Sequence, residues 1–133
     1  PSIKYFFGKV TMYTSYNKEA RDILLSFMTH YFPLRPDLCQ PKPKYHAGFE
    51  TKLFDEHFDK SLPFKEGFKN LNKSLKEKGE WVPPLINIYM NLSPTMMTFG
   101  TASNPDFGAV EETGVLVTIA DISQEVTDRH INY

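Results

Sequence analysis

The sequence predicts an α+β (or α/β) domain with a small mixed sheet packed by helices. Three observations carry that prediction. The hydrophobic period changes from that of a strand to that of a helix within a few residues of Tyr13, two later segments carry helical stripes, and two apolar runs near the end flank a turn cluster.

The elements follow in chain order. Tyr5-Phe6-Phe7-Gly8-Lys9-Val10-Thr11-Met12-Tyr13 is rich in aromatic and β-branched residues and reads as a strand. Thr14-Ser15-Tyr16-Asn17 reads as a tight turn, and from Lys18 to Tyr31 the residues Ala20, Ile23, Leu24, Phe27, Met28 and Tyr31 recur at helical spacing. Asn17 is the natural N-cap, with Glu19 and Asp22 near the positive end of the helix dipole. A strand that feeds straight into a helix leaves amide donors at the helix mouth, a place that suits a phosphate. Pro33, Pro36, Pro41 and Pro43 then predict a long ordered loop from Phe32 to Gly48, pinned by Leu34, Leu38 and Tyr45.

Leu53, Phe54 and Phe58 suit a short helical turn, and Ser61 is placed to cap a stronger helix with Pro63 in its first turn. Phe64, Phe68, Leu71 and Leu75 form its apolar stripe, Lys65, Lys69, Lys73 and Lys76 form a basic face beside it, and Gly79 stops it. Such a face is either solvated or a docking surface for an acidic partner. Pro83-Pro84 opens another helix, Leu85 to Leu92, ended by Ser93-Pro94. Two strands close the pattern, Thr95 to Ala102 and Val115 to Ala120, around the turn cluster Ser103 to Gly108.

Composition bounds the function. A chain of 133 residues suits one domain, and 11 Phe and 7 Tyr supply a core that a disordered chain lacks. With 15 basic against 16 acidic residues there is no global field for nucleic acid or anionic lipid, so an electrostatic partner must use a local patch. Cys39 is the sole cysteine, which excludes an internal disulfide and suits a reducing compartment. The apolar run Val115–Val117 with Ile119-Ala120 is far shorter than the roughly 20 residues of a membrane helix. Pro1 stands where a Met would open a complete chain, so the sequence is read as a piece of a longer protein.

No Gly-rich phosphate loop, paired-Cys metal signature or Gly-x-Ser-x-Gly elbow is present. His30, His46, His57 and His130 lack the spacing of a zinc site, and none is followed five residues later by Asp. His46 with Glu50 and His57 with Asp55 are the two acid–base pairings that spacing allows.

Three blocks, in order, resemble a family. Tyr5-Phe6-Phe7-Gly8-Lys9-Val10-Thr11 resembles the Tyr-Leu-Phe-Gly-x-Val-Ser-Ile strand of the GNAT-like N-acyltransferases that make ornithine and glycine lipids. Pro83-Pro84-Leu85-Ile86-Asn87-Ile88-Tyr89-Met90-Asn91-Leu92 resembles their Pro-Pro-Leu-Leu-Lys-x-Tyr-Leu-x-Leu helix, and Asn104-Pro105-Asp106-Phe107 their Asp-Pro-Asp-Phe turn. Related bacterial proteins often carry the label hemolysin. The resemblance covers most of the chain but only the C-terminal part of such an enzyme, so residues 1–133 are expected to be one domain of a larger acyltransferase and inactive alone.

The resemblance implies a GNAT-like half in which the strand of Val10 is splayed from its neighbour and pairs with the pantetheine of an acyl donor. By it, Lys9, Val10, Thr11 and Met12 hold pantetheine, and Thr14, Ser15, Tyr16 and Asn17 meet its phosphate. No cofactor is permanently bound; the donor is an acyl-phosphopantetheine, on acyl carrier protein rather than coenzyme A because the turn lacks the Gly-rich form. Tyr89 matches the tyrosine that protonates the departing thiolate, the alternative being an aromatic packed beside Leu85 and Leu92. Lys65, Lys69, Lys73 and Lys76 would dock the carrier, and the acceptor is an amino acid bound for a membrane lipid. Asn87-Ile88 and Ser93-Pro94 depart from the family's Lys-Gly and Gly-Ala types and leave that acceptor's identity open. The implied setting is cytoplasmic, with peripheral contact at the inner membrane surface and no nucleic acid. A non-catalytic acyl-carrier interaction module is the alternative; a membrane-lytic toxin would need an insertion element that no segment supplies.

Overall fold

A computed structural model describes residues 5–32, 34, 35, 37, 46–92, 94–104 and 110–118. The fold is α+β. Four strands, β1 (Tyr5–Met12), β2 (His46–Ala47), β3 (Met97–Asn104) and β4 (Val110–Thr118), lie in the order β1-β4-β3-β2. Every ladder is antiparallel, and a single bridge between Leu34 and Thr98 supplies the parallel pairing.

β1 and β4 run in unbroken register from Tyr5↔Thr118 to Met12↔Glu111. The period of two decides what each face carries. Val10 and Met12 on β1, with Val115 and Val117 on β4, are buried on one face and join the core with Leu24, Leu25, Phe27 and Met28 of α1 (Lys18–Tyr31). Tyr5 and Phe7 emerge on the other face, where Phe7 stacks on Phe99 with ring centroids 5.7 Å apart. Gly114 lies beside that pair, where a Cβ would meet both Phe7 and Phe99 at 3.5 Å, an ordinary van der Waals distance. The splay implied for the Val10 strand is therefore not found between β1 and β4, because the backbone ladder pairs them without a break from Tyr5↔Thr118 to Met12↔Glu111. The opposite edge of β1 has no partner strand among the described residues.

α1 has the predicted bounds, and Asn17 caps it, its Oδ1 accepting from the Ala20 amide at 2.9 Å. Glu19 lies in the first turn, at the positive end of the dipole, whereas Asp22 falls beyond it; buried, Asp22 accepts from Arg21 Nη1 at 2.7 Å. α2 (Lys52–His57) is the short turn expected around Phe54. α3 (Phe64–Glu77) starts at Pro63 rather than at a Ser61 cap, because Ser61 donates from its amide and hydroxyl to Asp59 Oδ1 in a local turn. Leu71 and Leu75 of α3, and Ile86 and Met90 of α4 (Pro84–Leu92), complete the core.

Leu34 does not pin the expected loop by burial. It is 44% exposed, and the segment is fastened instead through its backbone, with the Arg35 amide donating to Thr98 O at 2.8 Å. Leu38, Cys39, Tyr45, Ser93, the Pro105–Phe107 part of the turn block, Ile119-Ala120 and His130 lie outside the described residues.

Candidate functional site

At the C-terminal end of β1 a cavity of about 700 Å³ opens between the β1–α1 turn and the α3–α4 connection. Thr11, Met12 and Tyr13 line it from the strand, Ser15 and Tyr16 from the turn, and Gly79, Glu80, Trp81, Pro83, Pro84 and Leu85 from the far side. Local rules bring these distant segments together. α3 ends in a Schellman motif, with the Glu80 amide donating to Leu75 O and the Gly79 amide to Lys76 O, and Gly79 takes the positive φ of 75° that the motif needs. That turn aims Glu80 back at α1, where its carboxylate accepts from the Asn17 amide at 3.0 Å. The Tyr16 hydroxyl donates to Trp81 O at 2.9 Å and fixes the other half of the joint.

The electrostatics follow from this closure. Burial, and secondarily the charge of Glu80, push the Tyr16 phenol well above its ordinary value, so it stays protonated and keeps donating. Glu80 is the one charged side chain in the cavity wall and has no basic partner among the described residues. The helix mouth read as a phosphate site thus already holds a carboxylate on the Asn17 amide and the Asn17 side chain on the Ala20 amide.

Thr11, Met12, Ser15 and Tyr16 stand together at the cavity. Lys9, Val10, Thr14 and Asn17 do not line it. Lys9 is exposed and pairs with Glu112 at 3.1 Å, Val10 points wholly into the core, and Thr14 is exposed on the turn. Tyr89 is also outside the cavity wall; half-buried, it packs on Phe6 with centroids 5.8 Å apart, and its hydroxyl lies over β1, 3.2 Å from where a Cβ on Gly8 would be. Lys65, Lys69, Lys73 and Lys76 are exposed on α3 and form no ion pair among the described residues.

The acid–base pairing of His57 with Asp55 is not formed, since Lys60 and Thr51 take the Asp55 carboxylate. His30 instead bonds to Lys60 O at 2.9 Å. No cluster of metal-ligating groups and no helix long and apolar enough to cross a membrane occurs among the described residues. Sequence reasoning missed the Gly79–Leu85 wall. The signal it offered was a carboxylate and the only tryptophan directly after a helix-stopping glycine.

The comparisons with known proteins bear on this architecture. The chain is homologous to a part of N-acyltransferases. It is 43% identical over 131 residues to the glycine N(alpha)-acyltransferase of Phocaeicola vulgatus and 44% identical over 131 residues to that of Bacteroides thetaiotaomicron. The alignments take in 98% of this chain but only 40% and 39% of those relatives. No family model and no solved structure matches it.

Proposed function

We propose that the protein containing this chain is an N-acyltransferase that moves a fatty acyl group from a phosphopantetheine thioester, carried by acyl carrier protein, to the amine of an amino acid such as glycine. The observation that carries this reading is the identity of 43–44% with glycine N(alpha)-acyltransferases over 131 residues, almost the whole chain.

In this reading β1, its turn and α1 belong to a GNAT-like fold. The arm of the donor lies along Lys9 to Met12 at the open edge of β1 and ends at the cavity by Ser15 and Tyr16. Its phosphate sits on the Thr14–Ser15 side of the turn, away from the Asn17 amide that Glu80 occupies. The amine, once its ammonium has released a proton to water, attacks the thioester carbon; the C–N bond forms, the C–S bond breaks and the thiolate leaves. The nitrogen sheds its second proton to water, and Tyr89 supplies one to the thiolate and regains it from water. The Tyr89 hydroxyl has no protein partner among the described residues, which leaves it available for that role. We place the reaction in the cytoplasm at the inner membrane surface, where an acylated amino acid enters lipid synthesis.

Mixing the full-length protein with acyl carrier protein thioester and glycine, ornithine or other amines tests the reading; absence of transfer to every amine removes it. Tyr89→Phe should lower kcat by about 10²-fold or more while leaving the KM of the donor unchanged. A second reading, a non-catalytic module that binds acyl carrier protein, draws on the free lysine face of α3. Reversing Lys65, Lys69 and Lys73 to Glu should weaken carrier binding at least tenfold at low salt in either case, by loss of steering and contact charge. A protein in which binding responds to the lysines but no rate ever responds to Tyr89 belongs to the second reading.

A further inference from the structure

One residue of β1 is not what a strand favours at its place. Gly8 falls on the core face, in the row Phe6, Gly8, Val10, Met12, and stands opposite Val115 in the ladder with β4. A glycine inside a strand loses more backbone freedom on folding than other residues and gives the core no side chain, so a β-branched residue would serve the strand better. Its conformation does not call for glycine either, since the positive φ angles among the described residues belong to Gly79 and Gly100. Space does. A Cβ on Gly8 would lie 3.2 Å from the Tyr89 hydroxyl oxygen and 3.1 Å from a ring carbon of Phe6, both inside ordinary van der Waals contact. Phe6 is 44% exposed and has room to swing away. Tyr89 is half-buried on α4, whose Ile86 and Met90 are fixed in the core, so its ring yields less easily. A bare glycine in a strand commonly marks a place where another group must come close to the backbone, and here that group is a phenol hydroxyl.

We infer that Gly8 is a positioning residue for Tyr89, the notch left by its missing side chain letting the hydroxyl come down onto the backbone of β1. This role rests on the acyl-transfer reading with Tyr89 as the acid. In that reading the arm of the donor runs back along the edge of β1 from Met12 to Lys9, and Gly8 is the next residue. The notch therefore holds the hydroxyl at the end of the arm that carries the sulfur. A side chain at position 8 projects from the face of the sheet and not from its edge, so filling the notch moves the hydroxyl and leaves the backbone track of the arm in place.

Full-length Gly8→Ala and Gly8→Val, each with and without Tyr89→Phe, are assayed at saturating glycine with the acyl carrier protein thioester varied. In Gly8→Ala, where the neighbours need give only a little, kcat should fall about 3- to 10-fold; in Gly8→Val it should fall about 10²-fold, close to the level of Tyr89→Phe, with the donor KM unchanged in both. Because Tyr89→Phe has already lost the hydroxyl, adding Gly8→Val to it should cost less than about threefold more. A Gly8→Val enzyme with wild-type kcat, losses that multiply in the double variant, or a donor KM that rises as kcat falls overturns the role of Gly8 while acyl transfer stands. Should Gly8→Val fail to fold, Gly8→Ala decides by the same three criteria. A Tyr89→Phe enzyme with wild-type kcat overturns the role by removing the acid, and a wild-type protein that transfers to no amine removes the enzyme reading and the role together.

Discussion

At the scale of single residues, Tyr16 shows how one hydroxyl can hold a site together. It reaches across 65 positions to the Trp81 carbonyl, and burial keeps it protonated beyond the range in which an ordinary tyrosine titrates. Tyr16→Phe should cost about 1 kcal/mol at pH 7, from the lost bond and the carbonyl left facing the cavity. The same residue fixes a sign at high pH. Its folded pKa lies above the ordinary value of 10.0, so its contribution is complete below pH 10 and is lost as the pH climbs from there toward the folded value. Chemical denaturation from pH 8 to 11 should therefore show a fall in wild-type stability above pH 10 that is smaller in Tyr16→Phe; identical slopes would show that this phenol is not protected. The role of Asn17 was legible in the sequence because an N-cap is a local matter of one side chain and one helix turn. Its second partner, Glu80, was not, since nothing local reports a contact across 63 residues.

At the scale of elements, the helices were read more closely than the strands. The stripe from Ala20 to Tyr31 sets α1 by itself, whereas β3 and β4 extend or shorten by their mutual register, which no single segment contains. β2 was hidden because two residues in a proline-rich stretch have no period, and they are a strand only because Thr101 and Ala102 lie opposite. The packing of α3 on α1 carries a prediction. Gly67 is buried against Tyr31, and a Cβ there would lie 2.5 Å from the Tyr31 hydroxyl oxygen, which donates to Leu62 O at 2.8 Å. Alanine favours a helix over glycine by about 1 kcal/mol, yet the clash forces a ring wedged between Phe27 and Phe64 to move. The clash should win, with Gly67→Ala destabilising by about 1–3 kcal/mol. Adding Tyr31→Phe removes the nearest atom, so the double variant should recover part of the loss in urea unfolding; strict additivity would refute the contact.

At the scale of the whole molecule, the α+β class followed from periodicity, while the joint between α1 and the sheet did not, because it is ionic. Arg21 occupies that joint. Its Nε donates to Glu111 Oε1 of β4 at 3.0 Å, its Nη1 to Asp22 at 2.7 Å and its Nη2 to the Gly48 carbonyl at 2.7 Å, so one side chain ties the helix, a central strand and the segment before α2. Burial alone would push the Arg21 pKa down, but the hydrogen bonds of Glu111 and Asp22 hold it above its ordinary value. With 12% of the Arg21 side chain exposed, 11% of Asp22 and 23% of Glu111, solvent screens the Arg21–Asp22 pair less than the Arg21–Glu111 pair. Arg21→Leu should accordingly destabilise by about 3–5 kcal/mol, because it leaves the Asp22 and Glu111 carboxylates without the cation that pairs with both. Combining Arg21→Leu with Asp22→Asn and Glu111→Gln should restore most of the loss at pH 7, since no buried charge then lacks a partner. Urea denaturation of the wild type, Arg21→Leu and the triple variant at pH 7 decides it; an Arg21→Leu deficit that the neutral pair fails to relieve would mean that the joint is held by packing rather than charge.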